Sequence, residues 1–373
     1  MAETLKVKRG VDIKLKGVAE RIKDTFTSDT CSIKPPDFHG VVPKMVVKAG
    51  ASVKAGDVLF YSKDHQEIKF VSPVSGEVTE IVRGAKRRIL EIRILVDKEQ
   101  QYAAGSPVDI TKLQRDELKA VLLEKGLWPF IIQRPYDIVA DPNKAARDIF
   151  ISAFDSAPLA ADRDFLIEGE EEAFQKGIDA LSMLTDGKVY LSTSGRNNPS
   201  KVFSGAKNVV KTSISGPHPA GNVGVQIHQI KPINKGETVW TINPIDVALI
   251  GKYLLTGKYD ASRVIALAGS EVSKPRYLKT FIGANVAKAL EGGLKQSNVR
   301  VVSGNPLTGT KIDQNGYLGF YDHSITVLPE GDYYSFLGWL APNLNKFSLS
   351  RAFFSWLQPG KEYTLDTNLN GER

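Results

Sequence analysis

The chain has 373 residues, a mass of 40.9 kDa and a formal net charge of +7. With 42% hydrophobic and 24% charged residues it carries enough apolar material for packed cores, which excludes disorder as the main state. A single cysteine, Cys31, excludes an internal disulfide, a four-cysteine zinc site and an iron–sulfur cluster held by this chain alone, and makes a reducing compartment the default.

The length predicts roughly two to three domains. No apolar run approaches the roughly 18 residues of a membrane span; the longest near-continuous ones are short, such as residues 352–357. Lys6, Lys8, Arg9, Lys14 and Lys16 are not followed by an apolar h-region, so no secretory signal is expected. The positive charge is scattered, which argues against nucleic acid as a partner. Its mild excess fits either solubility or contact with an acidic partner or an anionic membrane face.

Residues 1–104 read as short strands punctuated by Gly50, Gly56, Pro73 and Gly76. The run Val47-Lys48-Ala49-Gly50, then Val53-Lys54-Ala55-Gly56-Asp57, then Ser72-Pro73-Val74-Ser75-Gly76, closely resembles biotinyl/lipoyl carrier domains, a barrel-sandwich hybrid. Carriers place an acceptor lysine at a hairpin tip. Here that tip reads Asp64-His65-Gln66, so the scaffold is expected without its covalent arm. Arg83, Lys86, Arg87 and Arg88 read as a second hairpin turn.

Residues 105–257 alternate helix and strand. A helix is predicted over 111–125, with Thr111 as N-cap and Gly126 as stop, and a buried strand over 149–154. A helix follows over 168–184, whose Glu168, Glu170, Glu171 and Glu172 suit its positive N-terminal end better than a metal site. Strands over 188–192 and 209–214 flank a short helix near 199–205. Strand–helix–strand repetition predicts a parallel, Rossmann-like sheet. No two of the 32 glycines are separated by a single residue, so no Gly-x-Gly-x-x-Gly dinucleotide loop exists. Gly304-Asn305-Pro306-Leu307-Thr308-Gly309-Thr310-Lys311 ends in the wrong order for a phosphate loop.

Two loops carry unusual chemistry. Residues 126–136 hold Trp128, Pro129, Phe130, Ile131, Gln133, Arg134, Pro135 and Tyr136. Rigid aromatic and aliphatic walls with one strong donor suit a flat apolar ligand with carbonyl oxygens, or else a packed connection between domains. In the second loop, 215–224, His218 stands between Pro217 and Pro219 among glycines. It could contact a ligand or relay a proton, or simply bond a backbone carbonyl in a sheet-edge turn. His218 and His228 have no ligand-like neighbours in sequence, so no metal site is expected.

The carrier-like start ending in Arg83-Gly84-Ala85-Lys86-Arg87-Arg88, Gly126-Leu127-Trp128 with Arg134-Pro135, Pro158-Leu159-Ala160-Ala161, Gly216-Pro217-His218-Pro219-Ala220-Gly221 and Ser303-Gly304-Asn305-Pro306 through Lys311 form an ordered series. That series resembles the NqrA family, the A subunits of Na+-translocating NADH:quinone oxidoreductases, over essentially the whole chain. The resemblance implies a peripheral protein, without transmembrane segment, on the cytoplasmic face of the bacterial inner membrane. Its partners would be the other subunits of this NADH:ubiquinone reductase, the membrane B subunit in particular, and the isolated chain would be inactive. The family is related to the NADH-binding subunit of complex I and the C subunit of the Rnf complex. Where those carry a glycine-rich flavin loop, this chain has Trp128-Pro129-Phe130-Ile131, which implies no FMN and no iron–sulfur cluster here.

Ubiquinone is the ligand the resemblance implies, with Pro35-Pro36-Asp37-Phe38-His39-Gly40 as a second candidate segment. The candidate quinone-binding residues are Phe38, His39, Trp128, Phe130, Ile131, Gln133, Arg134, Pro135, Tyr136 and His218; no catalytic or metal-binding residue is assigned. The alternative is a structural adaptor with no ligand site. Residues 258–330 are expected to form a β-grasp domain, with strands over 263–269 and 299–302 and a helix over 285–290. Residues 331–373 carry Tyr333, Tyr334, Phe336, Trp339, Phe347, Phe353, Phe354 and Trp356, either as core or as a docking face. Because the family continues into a helical region, the ending Asn370-Gly371-Glu372-Arg373 implies a truncated C-terminus.

Overall fold

A computed structural model of the chain describes residues 3–349 and 351–368. The ending 370–373 therefore lies outside the described residues. Four sheets organise the molecule.

Two small antiparallel sheets make the N-terminal body. One orders its strands Thr30–Ile33, Ile89–Val96, Gly76–Arg83 and Ser52–Val53, and the other orders Pro43–Met45, Val58–Ser62 and Lys69–Val71. Phe70, Val78, Ile92 and Ile94 face inside, together with the consecutive Leu59 and Phe60, where the register of Val58–Ser62 shifts; each is at most 2% exposed. The tip after Val58–Ser62 holds a half-buried His65, whose Nδ1 lies 3.6 Å from Glu67 and 3.9 Å from Asp141. Lys86 and Arg87 both take positive φ in the hairpin turn between Gly76–Arg83 and Ile89–Val96.

The largest sheet has seven strands in the order Glu3–Lys6, Val210–Ser215, Val189–Ser194, Ile149–Ser152, Val239–Thr241, Ile132–Arg134 and Ile138–Val139. The first five are mutually parallel and the last two antiparallel. Helices Glu171–Met183 and Pro244–Thr256 pack against each other so closely that glycine is needed at the crossing. A Cβ on Gly177 would stand 2.1 Å from the Val247 carbonyl oxygen, and one on Gly251 would stand 1.7 Å from that of Ala173. The helix foreseen from Thr111 starts instead at Arg115, because the Glu117 carboxylate caps the Gln114 N–H at 2.7 Å. Asp109 and Thr111 belong to a preceding 3₁₀ turn, Ile110–Lys112. Gly126 stops the helix with a φ of +68°. Glu171 and Glu172 sit in the first turn of their helix, and Lys252 pairs with Glu170 at 2.6 Å.

The remaining sheet has six strands in the order Thr310–Ile312, Val299–Ser303, Ser324–Pro329, Ser262–Ala268, Arg276–Phe281 and Glu20–Thr25. The segment 304–309 is a turn between antiparallel strands Val299–Ser303 and Thr310–Ile312, and no helix opens there. The first 25 residues pair with neither small sheet: Glu3–Lys6 joins the parallel sheet and Glu20–Thr25 the six-stranded one. Strand pairing thus crosses the boundary foreseen at residue 104. In the C-terminal segment Phe353 is buried, while Tyr334, Phe336 and Trp339 are 85%, 90% and 54% exposed. Among the described residues no helix is long and apolar enough to cross a membrane.

Candidate functional site

From Ile149–Ser152 the chain moves to Val189–Ser194 and then Val210–Ser215 on one side. It returns at Val239–Thr241 on the other side. Sheet order therefore reverses between Ile149–Ser152 and Val239–Thr241, and loops leaving their C-terminal ends splay apart and open a crevice there. A cavity of about 620 Å³ occupies that place, with Ser152 and Thr241 in its wall. Helices Val223–Ile230 and Pro244–Thr256 begin at it, through Asn222 and Asn243. The N-terminal body closes it with Asp37 and His39, and the six-stranded part with Asn305, Thr308 and Tyr321.

Four sequence-predicted residues from three separate loops line this cavity: His39, Phe130, Arg134 and His218. His39 Nδ1 lies 3.1 Å from the Asp137 carbonyl oxygen, and Arg134 pairs with the Asp137 carboxylate at 3.1 Å. His218 does not bond a backbone carbonyl through its ring. Its Nδ1 lies 3.0 Å from Ser156 Oγ, while its backbone N–H donates to Asp12 at 2.9 Å. The Arg134–Pro135 and His218–Pro219 peptides are both cis.

The other candidates are elsewhere. Phe38 is buried in an aromatic cluster, with ring centroids 4.4 Å from Phe70 and 4.7 Å from Phe320. Phe130 stacks on Phe320 at 4.9 Å, so Phe38 reaches the cavity wall only through Phe320. Trp128 is fully buried, donates from Nε1 to the Ala140 carbonyl at 2.7 Å and meets Trp240 edge-on at 5.4 Å. Ile131 is fully buried, and Gln133 accepts the Asp141 N–H at 3.2 Å. Pro135 and Tyr136 face solvent, Tyr136 being 77% exposed. For Trp128 and its buried neighbours, then, the loop is a packed connection.

Sequence reasoning missed Asp155, Ser156, Arg163, Asp246 and Tyr321. Arg163 pairs with Asp155 at 3.5 Å and donates to the Ser152 carbonyl at 2.6 Å. Asp246 and Arg263 are both buried and 3.3 Å apart, with Arg263 also donating to the Phe320 and Asp322 carbonyls. Burial pushes the Asp246 carboxyl up to about 6, against the pull of Arg263 and Arg163. Burial likewise raises Asp37 and the Tyr321 phenol, whose hydroxyl donates to the Pro129 carbonyl at 2.7 Å. The signal available beforehand was Asn222 and Asn243, each opening a helix directly after a glycine- or strand-bounded turn.

Arg134 and Arg163 are each matched by a carboxylate, so the cavity has no surplus of positive charge for a phosphate. Phe130, Ile132, Val223, Val225 and Ile242 give it apolar surface. That combination suits a neutral, flat ligand with a few polar oxygens. Among the described residues no cluster of three or more His, Cys, Asp or Glu is placed to hold a metal ion.

These features define a multidomain α/β protein with a ligand-sized crevice at the carboxyl edge of a parallel sheet. Family models match the chain in three consecutive stretches. The NqrA N-terminal barrel-sandwich hybrid domain covers residues 5–97, the NqrA second alpha/beta domain 113–259, and the NQRA C-terminal domain 264–314. The Na(+)-translocating NADH-quinone reductase A subunit of Vibrio parahaemolyticus is 37% identical over 369 residues, 98% of this chain and 82% of that protein. Its counterpart in Vibrio anguillarum is 38% identical over the same shares, and that of Photorhabdus laumondii 36% identical over 98% and 83%. A solved NAD+-reducing [NiFe]-hydrogenase aligns with a TM-score of only 0.35 and 13% identity, over 50% of this chain and 41% of that one. The chain belongs to the NqrA family, the A subunits of Na(+)-translocating NADH-quinone reductase.

Proposed function

We propose that this chain serves its reductase complex by holding the ring of a quinone, ubiquinone being the form implied, in the cavity at the carboxyl edge of the parallel sheet. The observation that carries this is the meeting of His39, Phe130, Arg134 and His218, from three loops far apart in sequence, on one cavity of ligand size. Phe130 and Ile132 offer a flat apolar wall. Arg134 and the His218 imidazole offer N–H donors to ring oxygens, while the His39 ring is held through Nδ1 by the Asp137 carbonyl.

In this reading the chain supplies no redox centre of its own. It lacks a Gly-x-Gly loop for a flavin or NADH pyrophosphate, and it has one cysteine where a cluster needs several. It carries no covalent cofactor, since His65 stands where a carrier domain has its lysine. We read the five parallel strands as a Rossmann-like unit and the six-stranded sheet as a β-grasp unit, on the support of strand order alone. The protein would sit peripherally on the cytoplasmic face, next to the other subunits, the membrane B subunit in particular.

A photoreactive short-chain ubiquinone tests this. Cross-linked peptides should cluster at residues 37–39, 130–137 and 218–225 and be displaced by unlabelled quinone. Labelling spread over the surface, or unaffected by competitor, would refute it.

A second reading, an adaptor without a ligand, is favoured by the exposed Tyr334, Phe336, Trp339 and Trp356 of the C-terminal segment, the rim of an apolar contact. Under that reading, alanine at Phe336 and Trp339 would release the chain from its complex while quinone cross-linking fails.

A further inference from the structure

His218 is held from behind by a residue no sequence motif marks. Ser156 lies in the turn after strand Ile149–Ser152, which Asp155 braces by accepting the Ala157 N–H at 2.8 Å. The Ser156 hydroxyl accepts the Gly221 N–H at 2.8 Å and lies 3.0 Å from His218 Nδ1. A hydroxyl has one proton to donate, and the imidazole nitrogen is the acceptor in reach. The approach is close: a Cβ on Gly221 would stand 2.4 Å from the Ser156 nitrogen, so glycine at 221 lets the two loops meet. From the other side, Asp12 holds the His218 backbone N–H at 2.9 Å and pairs with Arg196 at 2.8 Å.

We infer that Ser156 is a positioning residue which fixes neutral His218 as the tautomer protonated at Nε2, so that the cavity presents an N–H donor and selects ring carbonyls over ring hydroxyls. In a neutral imidazole one nitrogen accepts and the other donates. With Nδ1 occupied as acceptor, the proton resides on Nε2, and His218 lines the cavity. A quinone carbonyl only accepts and matches that donor directly, whereas a hydroquinone hydroxyl that accepts from it must turn its own proton to a carboxylate of the lining such as Asp137 or Asp155, so the bias toward the oxidised ring is the share that His218 contributes. The tautomer assignment stands on the Ser156 geometry alone; the selectivity rests on the quinone reading above.

The test uses the full chain labelled with ¹⁵N-histidine, at about pH 8, above the ordinary histidine range. The His218 signal is assigned by its loss in His218→Gln. Wild type should show an unprotonated Nδ1 and a protonated Nε2, and Ser156→Ala should shift toward a mixture of tautomers. In parallel, a short-chain ubiquinone and its hydroquinone are titrated under argon. Wild type should bind the oxidised ring roughly three- to tenfold more tightly, the scale of one net hydrogen bond, and Ser156→Ala should lose most of that ratio. A wild-type His218 protonated at Nδ1, or a tautomer unchanged in Ser156→Ala, would overturn the inference. The expected tautomers together with no saturable binding of either ring form would overturn the quinone reading and the selectivity, while supporting the hold of Ser156 on the imidazole.

Discussion

Asp246 and Arg263 lie 3.3 Å apart, both buried, where the helix that opens on the cavity meets the six-stranded sheet. The pair ties that helix to strand Ser262–Ala268 of the six-stranded sheet, and Asp246 lines the cavity. Because the folded carboxyl is raised from 3.8 to about 6, the folded state binds this proton more tightly than the unfolded chain. Its contribution to stability is fully present below the unfolded value and is lost as pH rises to about 6.

Asp246→Asn, a neutral mimic of the protonated carboxyl, should therefore resemble wild type near pH 4 and become the more stable of the two as pH rises through about 6, by up to about 3 kcal/mol. Urea denaturation across that range reads it. A variant that gains nothing on wild type as pH rises from about 4 to about 7 would contradict the raised carboxyl. Arg263→Met should cost about 3–5 kcal/mol at neutral pH, because it leaves the carboxylate buried and alone.

Gly251→Ala should destabilise by about 1–3 kcal/mol, since the added methyl meets the Ala173 carbonyl at 1.7 Å and the helices must separate. Gly205→Ala, with nothing within 4 Å of the added atom, should not. Thermal unfolding of the two variants compares them directly.

Glu330 accepts from Arg300 at 2.6 Å, Lys311 at 2.7 Å and the Thr367 hydroxyl at 3.0 Å. The Arg300 and Lys311 hydrogen bonds hold its carboxyl down at about 2. A lowered carboxylate contributes stability above its unfolded value near 4.5 and loses it as pH falls toward 2. Glu330→Gln should flatten that acid limb. It should also free the segment after Gly331, whose N–H donates to Thr367, to limited proteolysis at neutral pH.

Much of this architecture is visible in the residues. Apolar runs and glycine stops place the strands and helices to within a few positions, as at Ile149–Ser152 and Gly126. The pairing of Glu3–Lys6 with Val210–Ser215 is not, because backbone hydrogen bonds across some two hundred residues leave no side-chain pattern. Proline and glycine mark the loops of His39, Arg134 and His218 as rigid. They do not say which way a ring points: Phe130 faces the cavity, while Trp128, two residues earlier, satisfies its indole N–H on Ala140 and faces the core. Asp155, Ser156, Arg163 and Asp246 join the site only through the reversal of strand order, which no local motif records.

Quinone binding in the cavity is tested most directly by titrating the full chain with a short-chain ubiquinone, read by calorimetry. Binding should saturate at one site, be weakened by about 1–3 kcal/mol in Arg134→Ala, the scale of a lost hydrogen bond to a charged group, and be unchanged in Tyr136→Ala two residues away at the surface. Absence of saturable binding, or equal affinities for wild type and Arg134→Ala, would contradict it.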